Sequence, residues 1–167
     1  MHKVAIVGPE STGKSTLAIK MAAQLGAHWV PEFAREYLTQ LKRDYVQDDL
    51  LEIARGQLLW EKEQSELGGN WLFCDTNLLV IKVWSEVKYG SVDPWILEQI
   101  RLDKYHLHLL MYPDLPWEED PQREHPNQLF ELFERYEREL IVADVPYKVI
   151  KGKGDKRTMQ ALASLSS

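Results

Sequence analysis

The residues best equipped for chemistry lie near the start of the chain, in Gly8-Pro9-Glu10-Ser11-Thr12-Gly13-Lys14-Ser15. They fit the spacing G-x-x-x-x-G-K-S/T at every fixed position. The glycines permit a tight loop whose backbone N–H groups wrap phosphates, and a following helix adds positive potential at its N-terminus. The stretch therefore predicts a nucleoside triphosphate site built from Gly8, Glu10, Ser11, Thr12, Gly13, Lys14, Ser15 and Thr16. Lys14 is expected to reach the β- and γ-phosphates, and Ser15 to ligate Mg²⁺. Glu10 is the anomaly, because a carboxylate beside phosphates is electrostatically unfavourable. Its expected direction is away from them, toward an acceptor or a metal.

Other reactive side chains follow short apolar runs. Trp71-Leu72-Phe73-Cys74 ends in Asp75-Thr76. Asp75 fits two roles, a helix N-cap or a carboxylate holding Mg²⁺ opposite Ser15. In Pro31-Glu32-Phe33-Ala34-Arg35, Glu32 and Arg35 are three apart and share a helix face. They read either as a surface ion pair or as a base at an acceptor hydroxyl with a cation near the transferred phosphate. Residues 113–126 hold four prolines and five acidic side chains, with Arg123 as their only Lys or Arg. Such a stretch cannot be a core helix. It reads as a lid that carries Arg123 to the phosphates. A last Gly-rich loop contributes Gly152 and Lys153, expected near the adenine of ATP.

Positioning these residues requires strands followed by helices. Strands are expected over 3–7, 27–30, 71–74, 106–111 and 147–150. Helices are expected over 14–25, 32–41, 46–67, 76–87, 94–104, 127–142 and 158–165. Alternation of this kind predicts an α/β P-loop NTPase fold: a five-stranded parallel sheet with helices on both faces and a lid loop. Ligands on such sheets sit beyond the carboxyl ends of the strands, where every residue above falls. With 167 residues, 44% hydrophobic and 28% charged, the chain is expected to form a single domain over 1–167. A formal charge of -6 disfavours non-specific nucleic-acid binding. No apolar run approaches the length of a membrane span, and one cysteine, Cys74, precludes an internal disulfide. A cytoplasmic location is expected, without membrane partners. No Asn-Lys-x-Asp motif is present, so a GTPase reading fails and a small-molecule or nucleotide kinase remains.

Four blocks are similar to the ribosylnicotinamide kinase domain of the NadR family: GPESTGKS at 8–15, PEFAREY at 31–37, CDTNLLVIKVWSEVKYG at 74–90 and PWEEDPQREHPN at 116–127. The resemblance implies transfer of the ATP γ-phosphate to the 5′-hydroxyl of nicotinamide riboside. It implies catalytic roles for Lys14, Glu32, Asp75 and Arg123, and an acceptor site formed by Glu32, Phe33, Arg35, Trp60 and Asp75. Because the chain starts at the first P-loop strand, nicotinamide mononucleotide is the expected product, with neither adenylyl transfer nor gene repression. In the family the nicotinamide ring lies between aromatic side chains, and Trp60 stands at one of those positions. Gly56, one turn earlier, offers a flat space beside the Trp60 indole. On the residues alone, Trp60 is equally a core side chain. Pro31 replaces the second aromatic of some relatives, leaving Phe33 or Trp29. Of the six tryptophans, Trp71, Trp84 and Trp95 read as core and Trp117 opens the lid. Kinases for another nucleoside, such as a deoxynucleoside, and a non-catalytic nucleotide-sensing module are the alternatives.

Overall fold

The computed structural model describes residues 1–165. Five parallel strands, β1 (His2–Val7), β2 (His28–Val30), β3 (Trp71–Asp75), β4 (Leu107–Met111) and β5 (Tyr147–Ile150), form one sheet in the order β2-β3-β1-β4-β5. Seven helices connect or cover them: α1 (Lys14–Leu25), α2 (Phe33–Gln40), α3 (Gln47–Glu66), α4 (Leu78–Tyr89), α5 (Pro94–Leu102), α6 (Leu129–Val142) and α7 (Asp155–Ser164).

The central strand shows why the sheet needs helices on both faces. Val4, Ala5, Ile6 and Val7 are all fully buried, an apolar run without alternation. Val4 and Ile6 pack with Leu17 and Met21 of α1 and Ala161 of α7. Ala5 and Val7 pack with Leu79 and Val83 of α4 and Leu140 of α6. Helices α2, α3, α4 and α5 share a further apolar cluster that includes Ala34, Ile53, Ile81 and Ile96. Trp71 stacks on Phe73, and Trp95 packs against the α2–α5 cluster. Trp29 packs against the α1 side of the sheet, not the acceptor side.

One open alternative that the structure decides and two departures from the sequence reading matter to the site. Asp75 is the last residue of β3, not a helix cap. Thr76 takes φ 71°, and Asn77 caps α4 by accepting the Leu79 N–H at 3.1 Å. Helix α7 begins at Asp155, three residues before the expected start, which brings Arg157 into its first turn. Residues 112–128 carry neither helix nor strand, and α6 starts only at Leu129. The four prolines of 113–126 keep that stretch out of a helix interior, because each lacks the N–H for a bond to the preceding turn and clashes with it.

Candidate active site

The phosphate loop turns away from β1 at Gly8. A Cβ there would come within 2.9 Å of the Met111 carbonyl oxygen on β4, so the loop can cross the sheet edge only without a side chain. The Thr12 hydroxyl donates to Pro9 O at 2.7 Å and fixes the loop from within. Lys14 Nζ folds back to donate to Gly8 O at 3.1 Å and Pro9 O at 2.8 Å. Burial lowers the Lys14 pKa, against the charges of Glu32, Asp75 and Glu10, which raise it.

Asp75 is 2% exposed, and its Oδ1 has no hydrogen-bond partner. Burial raises its pKa, against the Ser15 side chain and the Lys14 charge. Glu32 sits at the N-cap of α2, where burial raises its pKa, against the Lys14 charge. An unpartnered buried carboxylate oxygen is costly, and it fits a cation shared with Ser15. No group of three or more His, Cys, Asp or Glu able to hold a metal occurs among the described residues, so any such ion would lean on phosphate and water ligands.

Lys14, Ser15 and Glu32 line a cavity of about 420 Å³, whereas Asp75 is not among its lining residues. The phosphate loop from Gly8 to Thr16 forms one wall, and Arg123 and His125 of the lid cover it. Glu32 and Arg35 lie on the same cavity. The Arg35 guanidinium binds Asp120 of the lid at 2.7 Å and stands 3.9 Å from Glu32. Beyond Glu32 the wall turns apolar, through Ala34, Leu38, Val80, Val83, Trp84 and Leu132.

Not every expected residue reaches this cavity. Phe33 and Trp60 do not line it: their rings meet edge to face at 4.8 Å, and Trp60 packs on Val30, Leu72 and Cys74. The flat space over Gly56 is filled by Phe33, whose ring atoms would stand 2.1 Å from a Cβ at that position. Gly152 and Lys153 also lie off the lining, where Gly154, Arg157 and Thr158 take their place. Gly152 instead donates its N–H to Asp114 at 2.6 Å.

Three residues were missed. Trp84 packs against the α2–α5 cluster as expected, but it also lines the cavity, and its indole N–H donates to the Tyr45 hydroxyl at 2.9 Å. Nothing in its spacing separates the two roles. Gln57, 1% exposed, accepts the Phe33 N–H at 2.9 Å and satisfies an otherwise uncapped start of α2, beside Glu32. Arg157, 4% exposed, donates to Thr12 O, Tyr112 O, Gly152 O and Asp114, and so ties the phosphate loop to the lid base and the last loop. With α7 expected only from residue 158, nothing in the sequence set Arg157 apart as a first-turn cation.

Comparison with known proteins follows the same lines. Residues 3–157 match the family model described as AAA domain, AAA_28. The trifunctional NAD biosynthesis/regulator protein NadR of Escherichia coli (strain K12) is 26% identical over 154 residues, 84% of this chain and 38% of that protein. A NadR protein solved in complex with NR superposes with a TM-score of 0.79 at 22% identity, over 98% of this chain and 50% of that one. A deoxyadenosine kinase from M. mycoides superposes with a TM-score of 0.66 at 16% identity, over 98% of both chains. This chain thus spans half or less of the NadR chains it matches. It has the α/β fold of P-loop nucleoside kinases, which implies ATP binding, and by the match over residues 3–157 it belongs to the AAA_28 family of AAA domains.

Proposed function

We propose that this chain transfers the γ-phosphoryl group of ATP to the 5′-hydroxyl of nicotinamide riboside, yielding nicotinamide mononucleotide and ADP. The observation that carries this reading is the two-part cavity: a phosphate loop at one end, an apolar wall with Trp84 at the other, and the Glu32 carboxylate lining the same cavity. A charged donor and a flat ring with an attached sugar need that division. The sequence blocks shared with the NadR kinase domain and the NR-bound NadR structure support the choice of nucleoside.

In this reading Lys14 leaves its carbonyl partners for the β- and γ-phosphates. The loop N–H groups hold the same oxygens. Glu32 accepts the proton of the attacking hydroxyl as that oxygen bonds to phosphorus and the bond from phosphorus to ADP oxygen breaks. A carboxylate whose pKa is raised by burial is the better base for this step. Arg123 and Arg35 stabilise charge on the transferred group. Ser15 and the free Oδ1 of Asp75 would hold Mg²⁺, which supplies charge neutralisation on the phosphates. The aromatic side chains on the cavity wall are Trp84 and Tyr136, and the Phe33–Trp60 pair lies outside that lining.

The test is a nucleoside panel with labelled ATP and Mg²⁺, reading labelled nucleotide product. Nicotinamide riboside is expected to give the highest kcat/KM. Faster transfer to a deoxynucleoside would replace this reading with the deoxynucleoside one. ATP binding without transfer to any acceptor would favour a nucleotide-sensing module.

A further inference from the structure

The third residue of the phosphate loop carries the wrong charge for its neighbours. A carboxylate inside a loop that wraps phosphates raises the cost of binding them unless it is directed elsewhere and held there. Glu10 is directed at the lid. Its Oε2 accepts the backbone N–H of Glu124 at 3.0 Å and of His125 at 3.2 Å, while Oε1 faces His125 Nδ1 at 3.4 Å. The next residue, Ser11, is held at φ 56°. Its hydroxyl accepts the Glu118 N–H at 3.0 Å and lies 3.4 Å from an Arg123 nitrogen.

Two adjacent phosphate-loop side chains therefore grip the lid at both ends of the segment 118–125, and Arg123 lies between the grips. The segment has no helix or strand of its own, so its backbone donors depend on such acceptors. Hydrogen bonds to an ionised carboxylate are about twice as strong as neutral ones. Within 118–125 the remaining side-chain contacts to other elements go to the acceptor side of the cavity: Asp120 and Gln122 to Arg35, and Glu124 to Tyr45 and Lys88. Within the segment 118–125, Glu10 is the charged tie to the donor side; at the lid base, Asp114 is held separately by Arg157.

We propose that Glu10 is a positioning residue that latches the lid onto the phosphate loop and thereby aims Arg123 into the cavity. The catalytic consequence rests on the kinase reading above; the latch itself does not. Glu10 touches neither reacting oxygen and acts through Arg123.

Two measurements test it. The first is hydrogen exchange on the full chain with a non-hydrolysable ATP analogue and no acceptor. In Glu10→Ala, peptides covering Glu118 to His125 are expected to exchange at least about tenfold faster, with β1 and α1 unchanged. Glu10→Gln keeps one carbonyl acceptor and is expected to recover part of the protection. Unchanged exchange at Glu124 and His125 in Glu10→Ala would overturn the latch. Faster exchange throughout the molecule in both variants would overturn it too, by making Glu10 a general stability residue. The second is a double-mutant cycle with Arg123→Ala. Glu10→Ala alone is expected to lower kcat about tenfold or more, leave the ATP Kd within a few-fold, and raise the ATP hydrolysed per acceptor phosphorylated. In the Arg123→Ala background it should add little, whereas multiplied losses would show that Glu10 does not act through Arg123. A wild type that phosphorylates no nucleoside would defeat the kinase reading, and the exchange result would still decide the latch.

Discussion

Two clusters of buried charge sit at opposite ends of the sheet and behave differently. At the amino end of β1, Lys3 Nζ binds Glu61 at 3.1 Å and also Asp103, and the Tyr105 hydroxyl donates to Glu61 at 2.9 Å. Burial pulls the Lys3 pKa down, but the two carboxylates outweigh it and the net shift is up. At the carboxyl end, Lys14 reaches only two backbone carbonyls, and burial outweighs Glu32, Asp75 and Glu10, so its pKa falls. A charge cluster whose members pair with one another is structural support for α3 and β4. A cluster whose lysine is near carboxylates yet pairs with none of them has room for charged ligands, here phosphates and a cation. The difference comes from what holds the side chains: Lys3 meets carboxylates from two other elements directly, whereas Lys14 is turned back onto its own loop.

Breaking each cluster should therefore have opposite consequences. The largest effect is expected for Lys14→Ala: phosphoryl transfer to nicotinamide riboside should fall about 10³-fold, with the thermal midpoint nearly unchanged. A midpoint that fell sharply, or near-normal turnover, would erase the contrast between the two clusters. Next is Glu32→Gln, with an expected loss in kcat of about 10²- to 10⁴-fold. Glu32 also fixes the sign of the pH dependence. Burial favours its protonated form, so kcat/KM should fall as pH drops through a midpoint above the ordinary value of 4.5, and activity is retained above it. The Glu32→Gln enzyme should lose that acid limb, and a limb that persisted would move the base elsewhere.

At the other end, Lys3→Met leaves Glu61 and Asp103 without their cation. The expected cost is about 3 kcal/mol of folding stability, at the low end for a buried pair because Lys3 keeps 21% of its side-chain exposure. Denaturant unfolding reads that loss, and kcat per folded molecule should not change. The smallest effects divide the two aromatic surfaces. Trp84→Ala is expected to raise the acceptor KM about tenfold, and Trp60→Ala by less, with the ATP KM unaffected by either. The reverse order would return the ring to the Phe33–Trp60 pair.

The donor half of the site was legible in the sequence because it is local. Eight consecutive residues at 8–15 form the phosphate loop, and the same stretch carries its own helix start. Asp75 was legible as a strand end, although its choice between cap and free carboxylate was settled only by Asn77 taking the cap. The acceptor half was much less legible. Trp84 on α4 has the spacing of a core residue, and only the tertiary structure, which brings α2, α4 and α6 residues onto one wall, decides that it also borders a cavity. Trp60 and Gly56 suggested an open slot. That slot holds Phe33, which comes from a helix 23 positions earlier in the chain than Gly56. Arg157 and Gln57 were missed because their partners lie far away: Thr12 is 145 positions from Arg157, and Phe33 is 24 from Gln57.

The sequence by itself determined the alternation of strands and helices, the parallel sheet and the phosphate loop. Those follow from hydrophobic runs, glycine positions and helix starts, all of which act over a few neighbouring residues. Only the tertiary structure decided which carboxylates pair and which stay free, which aromatic faces the cavity, and that Glu10 turns to the lid. Each depends on distances between elements remote in the chain, and burial and charge pairing follow from those distances.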